Sequence, residues 1–442
     1  MAVTKPSGIA WIGEIPADWD IIRMKLYSYL KGRIGWQGLK AEEFIDEGPY
    51  LVTGTDFDNG RICWERSYHV SEKRYDEAPQ IQLRVGDLLV TKDGTIGKLA
   101  YVDSLPGKAS LNSHLLLIRP LQNKYCNEFL YWVLSSSVFQ GYYELNGSDG
   151  TTMDSLSQEK IGNFSFATPP LPEQQAIAAL LDDRCGQIDG IVADLERQVE
   201  ILRQYKKALI TETVTKGLDK TATMRDSGID WIGKMPMHWE LQRVKYVTSI
   251  ISKGATPEDI FNEQTERYPI RFLKAENIKN SLVDSDPEFY IDRTADNGLR
   301  RSRLQANDLL FVIAGATIGK VAQMNPDLLP ANINQAISFL RPNGYVLPKY
   351  LLYVLDSYIV AEVIQLLTVQ AAQPNISMAN LGNIEFPLAP KGEQTAIVDF
   401  LDHKCTKIDD LIAEKQKAAE TMQQYKKSLI YEYVTGKKRV VG

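Results

Sequence analysis

A chain of 442 residues, 44% hydrophobic and 9% aromatic, is too apolar to be disordered and long enough for two or three domains. No apolar run reaches the roughly 18 residues of a membrane span, and "MAVTKPSGIAW" carries no signal-peptide hydrophobic stretch, so a cytoplasmic protein without a membrane segment is expected. The formal charge is −6, with 24 Lys+Arg against 30 Asp+Glu in residues 1–220 and 26 against 26 in 221–442, so any polyanion site must be a local concentration of positive charge.

The first feature along the chain is "WIGEIPADW", Trp11 to Trp19, which returns as "WIGKMPMHW", Trp231 to Trp239. A nine-residue echo built on tryptophan marks a duplication. Residues 28–84 and 248–305 have diverged almost completely. The frame then resumes. "VGDLLVTKDGTIGK" from Val85 meets "ANDLLFVIAGATIGK" from Ala306, and "ASLNSHLLLIRP" from Ala109 meets "ANINQAISFLRP" from Ala331. "DLLVT", "LLLIRP", "DLLFVIAG" and "AISFLRP" predict short strands bounded by Gly, Asp, Asn and Pro. "NEFLYWVLSS" and "PKYLLYVLDSYIVAEVIQLL" predict helices.

A long helix follows in each copy. The Pro-rich entry "TPPLP" ends with Pro172 and Glu173 in a first helical turn. Ile188, Ile191, Leu195, Leu202, Tyr205 and Leu209 fall on heptad a and d positions, with Gln198 a polar exception. Ile408, Leu411, Ala418, Met422, Tyr425 and Leu429 repeat the frame, with Lys415 the exception. Each helix of about 45 residues would be roughly 65 Å long. Two stripes of matched length predict that the helices pair with each other, antiparallel; the alternative is that each helix packs into a bundle with its own domain.

"GTIGK" and "GATIGK" fail as phosphate loops of nucleotide hydrolases. The spacing is short, and Leu99 and Val321 follow the lysines where a Ser or Thr is needed. A Gly-rich turn carrying Thr95 and Lys98, or Thr317 and Lys320, still offers amides, a hydroxyl and a cation to a DNA phosphate. The variable parts interleave basic, amide and aromatic residues suited to groove reading. These are Lys31, Arg33, Trp36 and Gln37 in "KGRIGWQGLK", Lys253 and Thr256 in "SKGATPED", and Lys274 and Asn277 in "RFLKAENIKN". Lys92, Asn112, Thr151, Thr152, Asn334, Gln335, Gln373 and Asn375 complete the candidate DNA-binding set.

No catalytic constellation is present in the sequence. His69, His114, His238 and His403 share no metal-ligand spacing, and Cys63, Cys126, Cys185 and Cys405 form no C-x-x-C pair, so no metal or cofactor is expected. Cys185 and Cys405 recur at equivalent positions and read as packing residues. Asp182, Asp183 and Asp402, in "LDD" and "LDH", read as solvated or capping charges.

The duplicated "SGIxWIGxxPxxW", "GDLL…GTIGK" and "PLPEQxAI…LD…ID…QYKKxLIxExVT" resemble the specificity subunits of type I restriction–modification systems, over essentially the whole chain. The second copy departs with "APKGEQ" where the first has "PPLPEQ". The resemblance implies an α+β chain with two mixed α/β target-recognition domains, 1–170 and 218–390. They alternate with helices 171–217 and 391–437, which form an intramolecular antiparallel coiled coil, the whole having pseudo-two-fold symmetry. It further implies binding to double-stranded DNA without catalysis by this chain, each domain reading one half of a bipartite site. Two modification subunits would bring S-adenosylmethionine, and restriction subunits ATP-driven translocation and cleavage. Each tryptophan segment would then wedge its domain against a coiled-coil end. The alternative is a non-catalytic protein-interaction scaffold with two divergent domains on a helical spacer.

Overall fold

The computed structural model describes residues 3–33, 39, 41–146, 156–279, 281–368 and 375–440. The chain folds as two compact units, Met1–Leu195 with Lys417–Gly442, and Glu196–Gln416. The central helix, Leu171–Lys216, begins in unit one and ends in unit two. The C-terminal helix, Lys391–Val434, begins in unit two and ends in unit one. Each unit therefore holds the start of one long helix and the end of the other.

Both units are built on the same four antiparallel strands. In unit one the sheet order is Leu99–Tyr101, Leu88–Thr91, Leu115–Pro120, Ser28–Gly32. In unit two it is Val321–Gln323, Leu309–Val312, Ile337–Pro342, Thr248–Lys253, extended beyond Val321–Gln323 by two further short strands. The central strands read "LLVT", "LLLI", "LLFV" and "ISFL" and are buried at every position, as expected where both faces are covered. A three-stranded sheet covers one face in each unit, with Ile45–Val52 or Ile270–Leu273 pairing in parallel with Ala109–Leu111 or Ala331–Ile333. The other face packs on short helices and the long-helix segments in one core per unit.

The helix expected over "PKYLLYVLDSYIVAEVIQLL" is two helices, Pro348–Leu355 and Tyr358–Thr368. Asp356 caps the first, and the Ser357 hydroxyl donates to the Val354 carbonyl at 2.6 Å, which ends the run. Burial raises the Asp356 carboxyl above its usual range. Among the described residues no single helix is long and apolar enough to cross a membrane.

The tryptophan segment and the start of each long helix interlock. Trp19 and Trp239 are fully buried, and their indoles donate to Glu173 at 3.2 Å and Glu393 at 3.0 Å. Glu173 and Glu393 stand in the first helical turn, where an acidic side chain also meets the helix dipole favourably. The neighbouring Gln174 and Gln394 are buried, and each amide holds a loop of the globular part. Gln174 donates to the Pro169 and Lys124 carbonyls at 2.8 and 3.1 Å and accepts from the Cys126 amide at 2.9 Å. Gln394 donates to Ala389 at 2.8 Å and Tyr345 at 3.3 Å and accepts from Leu347 at 2.8 Å. The far end of the other long helix closes the same junction. It stops at Gly436 or Gly217, both at positive φ, where a Cβ would press on Pro16 and Trp19 or on Trp239. In unit one Arg439 then forks onto Glu173 and Asp18, with N–O distances of 2.7–3.1 Å, and holds the Asp18 carboxyl below its usual range. In unit two His238 takes that place against Glu393, at 2.7 Å. The wedge expected of the tryptophan segment is formed by its second tryptophan.

Within each unit the long-helix segments run antiparallel. In unit one Arg439 meets Glu173 and Lys426 meets Asp189. In unit two Lys415 meets Gln198 and Lys206 meets Asp409. The seam is a heptad, but its frame differs from the expected one. Ile191 and Tyr205 are 46% and 56% exposed, and Leu411 and Tyr425 are 45% and 53% exposed. Ile188, Leu195, Leu202 and Leu209, with Ile408, Lys415, Met422 and Leu429, face inward as expected, while the alternate positions fall one residue later, at Val192, Val199 and Lys206 and at Ile412, Ala419 and Lys426. The seam extends back through Leu181 and Cys185 and through Leu401 and Cys405. Lysine is tolerated there because its methylene stem packs while the ammonium reaches out to an aspartate, at 2.7 Å in both Lys206–Asp409 and Lys426–Asp189. Cys185 and Cys405 are seam residues, and burial pushes both thiols up to about 11, far from a nucleophile's range. Asp182 and Asp402 are not free charges. They accept from Trp132 at 2.9 Å and Tyr353 at 2.7 Å, tying each long helix to a helix of the globular part.

Two neighbouring isoleucines distinguish the frames. Ile188→Ala should destabilise unit one by about 2–5 kcal/mol in thermal unfolding of the isolated subunit. Ile191→Ala should change it by no more than about 0.5 kcal/mol. Equal losses would put Ile191 in the seam.

Candidate nucleic-acid interface

At one end of the four-stranded sheet, backbone hydrogen bonds gather three segments. In unit one the turn after Leu88–Thr91 is closed by Thr91, whose hydroxyl donates to the Thr95 carbonyl and accepts from the Lys98 amide at 2.9 Å. This leaves Thr95 and Lys98 exposed on the turn. The Lys92 amide donates to His114 and the Leu156 amide to Lys92, both at 2.9 Å. Asn112 opens the neighbouring turn, its side chain accepting from the His114 amide at 3.0 Å. Lys31 sits exposed near the end of the adjoining strand.

Unit two repeats the arrangement with other side chains. Gly319 donates to Val312 at 2.9 Å, and the Lys320 amide to Thr317 at 3.2 Å. Ile313 donates to Ala336 at 2.8 Å and Ile376 to Ile313 at 2.9 Å, which sets Asn375 beside Ala314. Asn334 accepts from the Ala336 amide at 3.2 Å, and Gln335 accepts from the Thr256 hydroxyl. Lys253 lies on the adjoining strand opposite Ser338. The structure thus brings together Lys31, Lys92, Thr95, Lys98 and Asn112 in one unit. In the other it gathers Lys253, Thr256, Thr317, Lys320, Asn334, Gln335 and Asn375.

Other candidates serve the frame. Arg33 is buried, donating to the Leu111 carbonyl at 3.0 Å and to Ser110 at 3.3 Å, and desolvation lowers its pKa to about 10. Asn277 is buried and accepts from the Lys274 amide at 2.9 Å while donating to Asp284 and Pro287 carbonyls at 3.1 and 2.9 Å. It caps the same turn that Asp56 caps in unit one, through the Thr53 amide at 2.7 Å. Burial raises the Asp56 carboxyl, and its hydrogen bonds with Thr53 oppose that. The Lys274 ammonium lies over the Phe289 ring, 3.3 Å from its centroid. Trp36, Gln37, Thr151, Thr152 and Gln373 lie outside the described residues.

Sequence reasoning missed one element at the opposite end of the same strands, where Leu88 faces Ile118 and Leu309 faces Leu340. Asp87 and Asp308 are buried and each receives a bidentate guanidinium, Arg119 at 2.7 Å and Arg341 at 2.7 and 2.8 Å. Each also accepts a backbone amide, from Arg84 at 2.6 Å and Gln305 at 2.7 Å. The signal was present in the repeated "DLL" and "RP", an acid and an arginine on paired strands. Among the described residues no group of His, Cys, Asp and Glu is placed to hold a metal ion.

The family description "Type I restriction modification DNA specificity domain" matches residues 37–200 and 236–421. The MjaVIII type I restriction enzyme specificity subunit of Methanocaldococcus jannaschii is 24% identical, over 97% of this chain and 94% of its own. The EcoBI type I restriction enzyme specificity subunit of Escherichia coli is 26% identical over 75% of this chain and 68% of its own. A solved chain from a study of complex assembly and conformational transition in the type I R-M system shares the fold, with a TM-score of 0.71 at 18% identity, covering 96% of this chain and 99% of that one.

The division between exposed and framework residues predicts different stability effects. Asn277→Ala leaves buried groups without partners and should cost about 1–3 kcal/mol. Lys320→Ala should stay within about 0.5 kcal/mol. Thermal unfolding of both variants checks the assignment, and a neutral Asn277→Ala would remove Asn277 from the frame.

Proposed function

The chain belongs to the type I restriction-modification DNA specificity family, and we propose that each of its units reads one half of a bipartite double-stranded DNA site. The observation that carries this reading is a repeated backbone frame that keeps Lys98 and Asn112 as Lys320 and Asn334 but changes the side chains around them at the same sheet end: Lys92, Ser113 and His114 in one unit, and Ile313, Gln335 and Ala336 in the other. Lys98 and Lys320 hold equivalent places on their turns and contact phosphate, while the divergent loops read bases. The paired helices set the spacing between the two halves.

The chain itself performs no chemistry. It serves two modification subunits, which methylate, and restriction subunits, which translocate and cleave. Each unit exposes an aliphatic residue from one long helix and a tyrosine from the other, Ile191 with Tyr425 and Leu411 with Tyr205. Two such faces, one per unit, support two equivalent docking places for the modification subunits. The acidic balance of residues 1–220 fits a chain whose DNA affinity is completed by partners.

In the assembled methyltransferase, Lys98→Ala and Lys320→Ala should weaken cognate and non-cognate binding alike. Each should reduce the slope of log affinity against log salt by about one. A loss confined to one base pair with the slope unchanged would make these lysines base readers. Replacing residues 248–305 with those of another member should change one half-site only. If both halves changed together, the two-reader assignment would fall.

A further inference from the structure

The two units differ in a specific way at one corner of the gathered turns. Lys92 donates its amide to His114 as Ile313 donates to Ala336. Lys92, Asp93 and His114 therefore stand where unit two has Ile313, Ala314 and Ala336. In unit one the Asp93 Oδ2 lies 3.5 Å from His114 Nδ1 and 3.9 Å from Lys92 Nζ. The Asp93 and His114 side chains are 39% and 64% exposed. Among the described residues no hydrogen-bond donor is placed on Asp93 Oδ1.

A carboxylate at the rim of a DNA site is repelled by phosphate, so it does not serve backbone contact. What it fits on a duplex is a hydrogen-bond donor. The base-edge donors in the major groove are the exocyclic amino groups, N4 of cytosine and N6 of adenine. The Lys92 ammonium partly offsets the negative charge, and both Lys92 and His114 lie on the Oδ2 side of the carboxylate, leaving Oδ1 to accept. Ala314 and Ala336 offer no side-chain acceptor, so unit two lacks this contact.

We infer that Asp93 is a specificity-determining residue of unit one, accepting a hydrogen bond from the exocyclic amino group of one base in its half-site, with Lys92 and His114 as positioning residues. This rests on the reading of each unit as a DNA reader.

The test uses the assembled methyltransferase and duplexes carrying every single base-pair substitution across both halves. Asp93→Ala should reduce discrimination at one pair of the first half-site by roughly 5- to 150-fold and leave every pair of the second half-site unaltered. Whether the affected pair is C·G or A·T tells which amino group is read. Asp93→Asn retains an acceptor and should keep part of the discrimination, and His114→Ala should weaken it at the same pair. If Asp93→Ala lowers affinity equally at every pair, or leaves discrimination unchanged, Asp93 is not a reader. If the unsubstituted complex discriminates no pair in either half, the failure lies instead with the DNA-reading assignment itself.

Discussion

The buried carboxamide at the start of each long helix is the constraint from which the rest of the architecture follows. Gln174 and Gln394 each satisfy three backbone groups belonging to two loops of the globular part. A carboxamide with three partners fixes its side chain in position and direction, and the helix that carries it inherits both. The adjacent glutamate then binds the tryptophan, and the tryptophan packs where the other helix must end. Replacing glutamine by an apolar residue would strand buried amides and carbonyls, a larger penalty than the net gain of one hydrogen bond. The direction of a long helix leaving a sheet domain is thereby set by a few short contacts at its root.

The same logic explains how two units share a frame while their surfaces diverge. Asp56 and Asn277 are different residues with one function, since both accept the amide that opens their turn. Thr91 closes its turn with a hydroxyl, whereas the corresponding Val312 uses only its backbone amide and carbonyl. The Asp87–Arg119 and Asp308–Arg341 pairs are retained unchanged, each buried carboxylate satisfied by a guanidinium and a backbone amide, so losing either residue would leave the other's charge without its partner. Framework positions accept any side chain that supplies the missing partner, and turn tips accept nearly anything.

The repeat, the strands of the shared sheet and both long helices were legible in the sequence, because a copied frame and apolar runs show directly. Only one of the seam's two heptad positions was, through Ile188, Leu195, Leu202 and Leu209, because hydrophobicity ranks Ile191 and Tyr205 above Lys206, yet a lysine stem packs inward once Asp409 receives its charge. Polar residues were misread in both directions. Arg33 and Asn277 look like groove readers in a string of letters, but burial reserves them for carbonyls and amides within the fold. Asp182 and Asp402 look solvated, but a tryptophan indole and a tyrosine hydroxyl from helices 50 and 49 residues earlier reach them. Such partners are distant in sequence and leave no local trace.

Because unit one is completed by residues 417–442, its folding must wait for the end of synthesis. Residues up to 195 leave the ribosome first, with Cys185, Ile188 and Val192 bare of their opposing helix. Residues 196–416, which form all of unit two, emerge before the strand of chain that covers them. At about 5–20 residues per second that interval is on the order of 10 to 45 s. The second-made unit is thus the first to mature, and the nascent chain carries an open apolar groove throughout the wait.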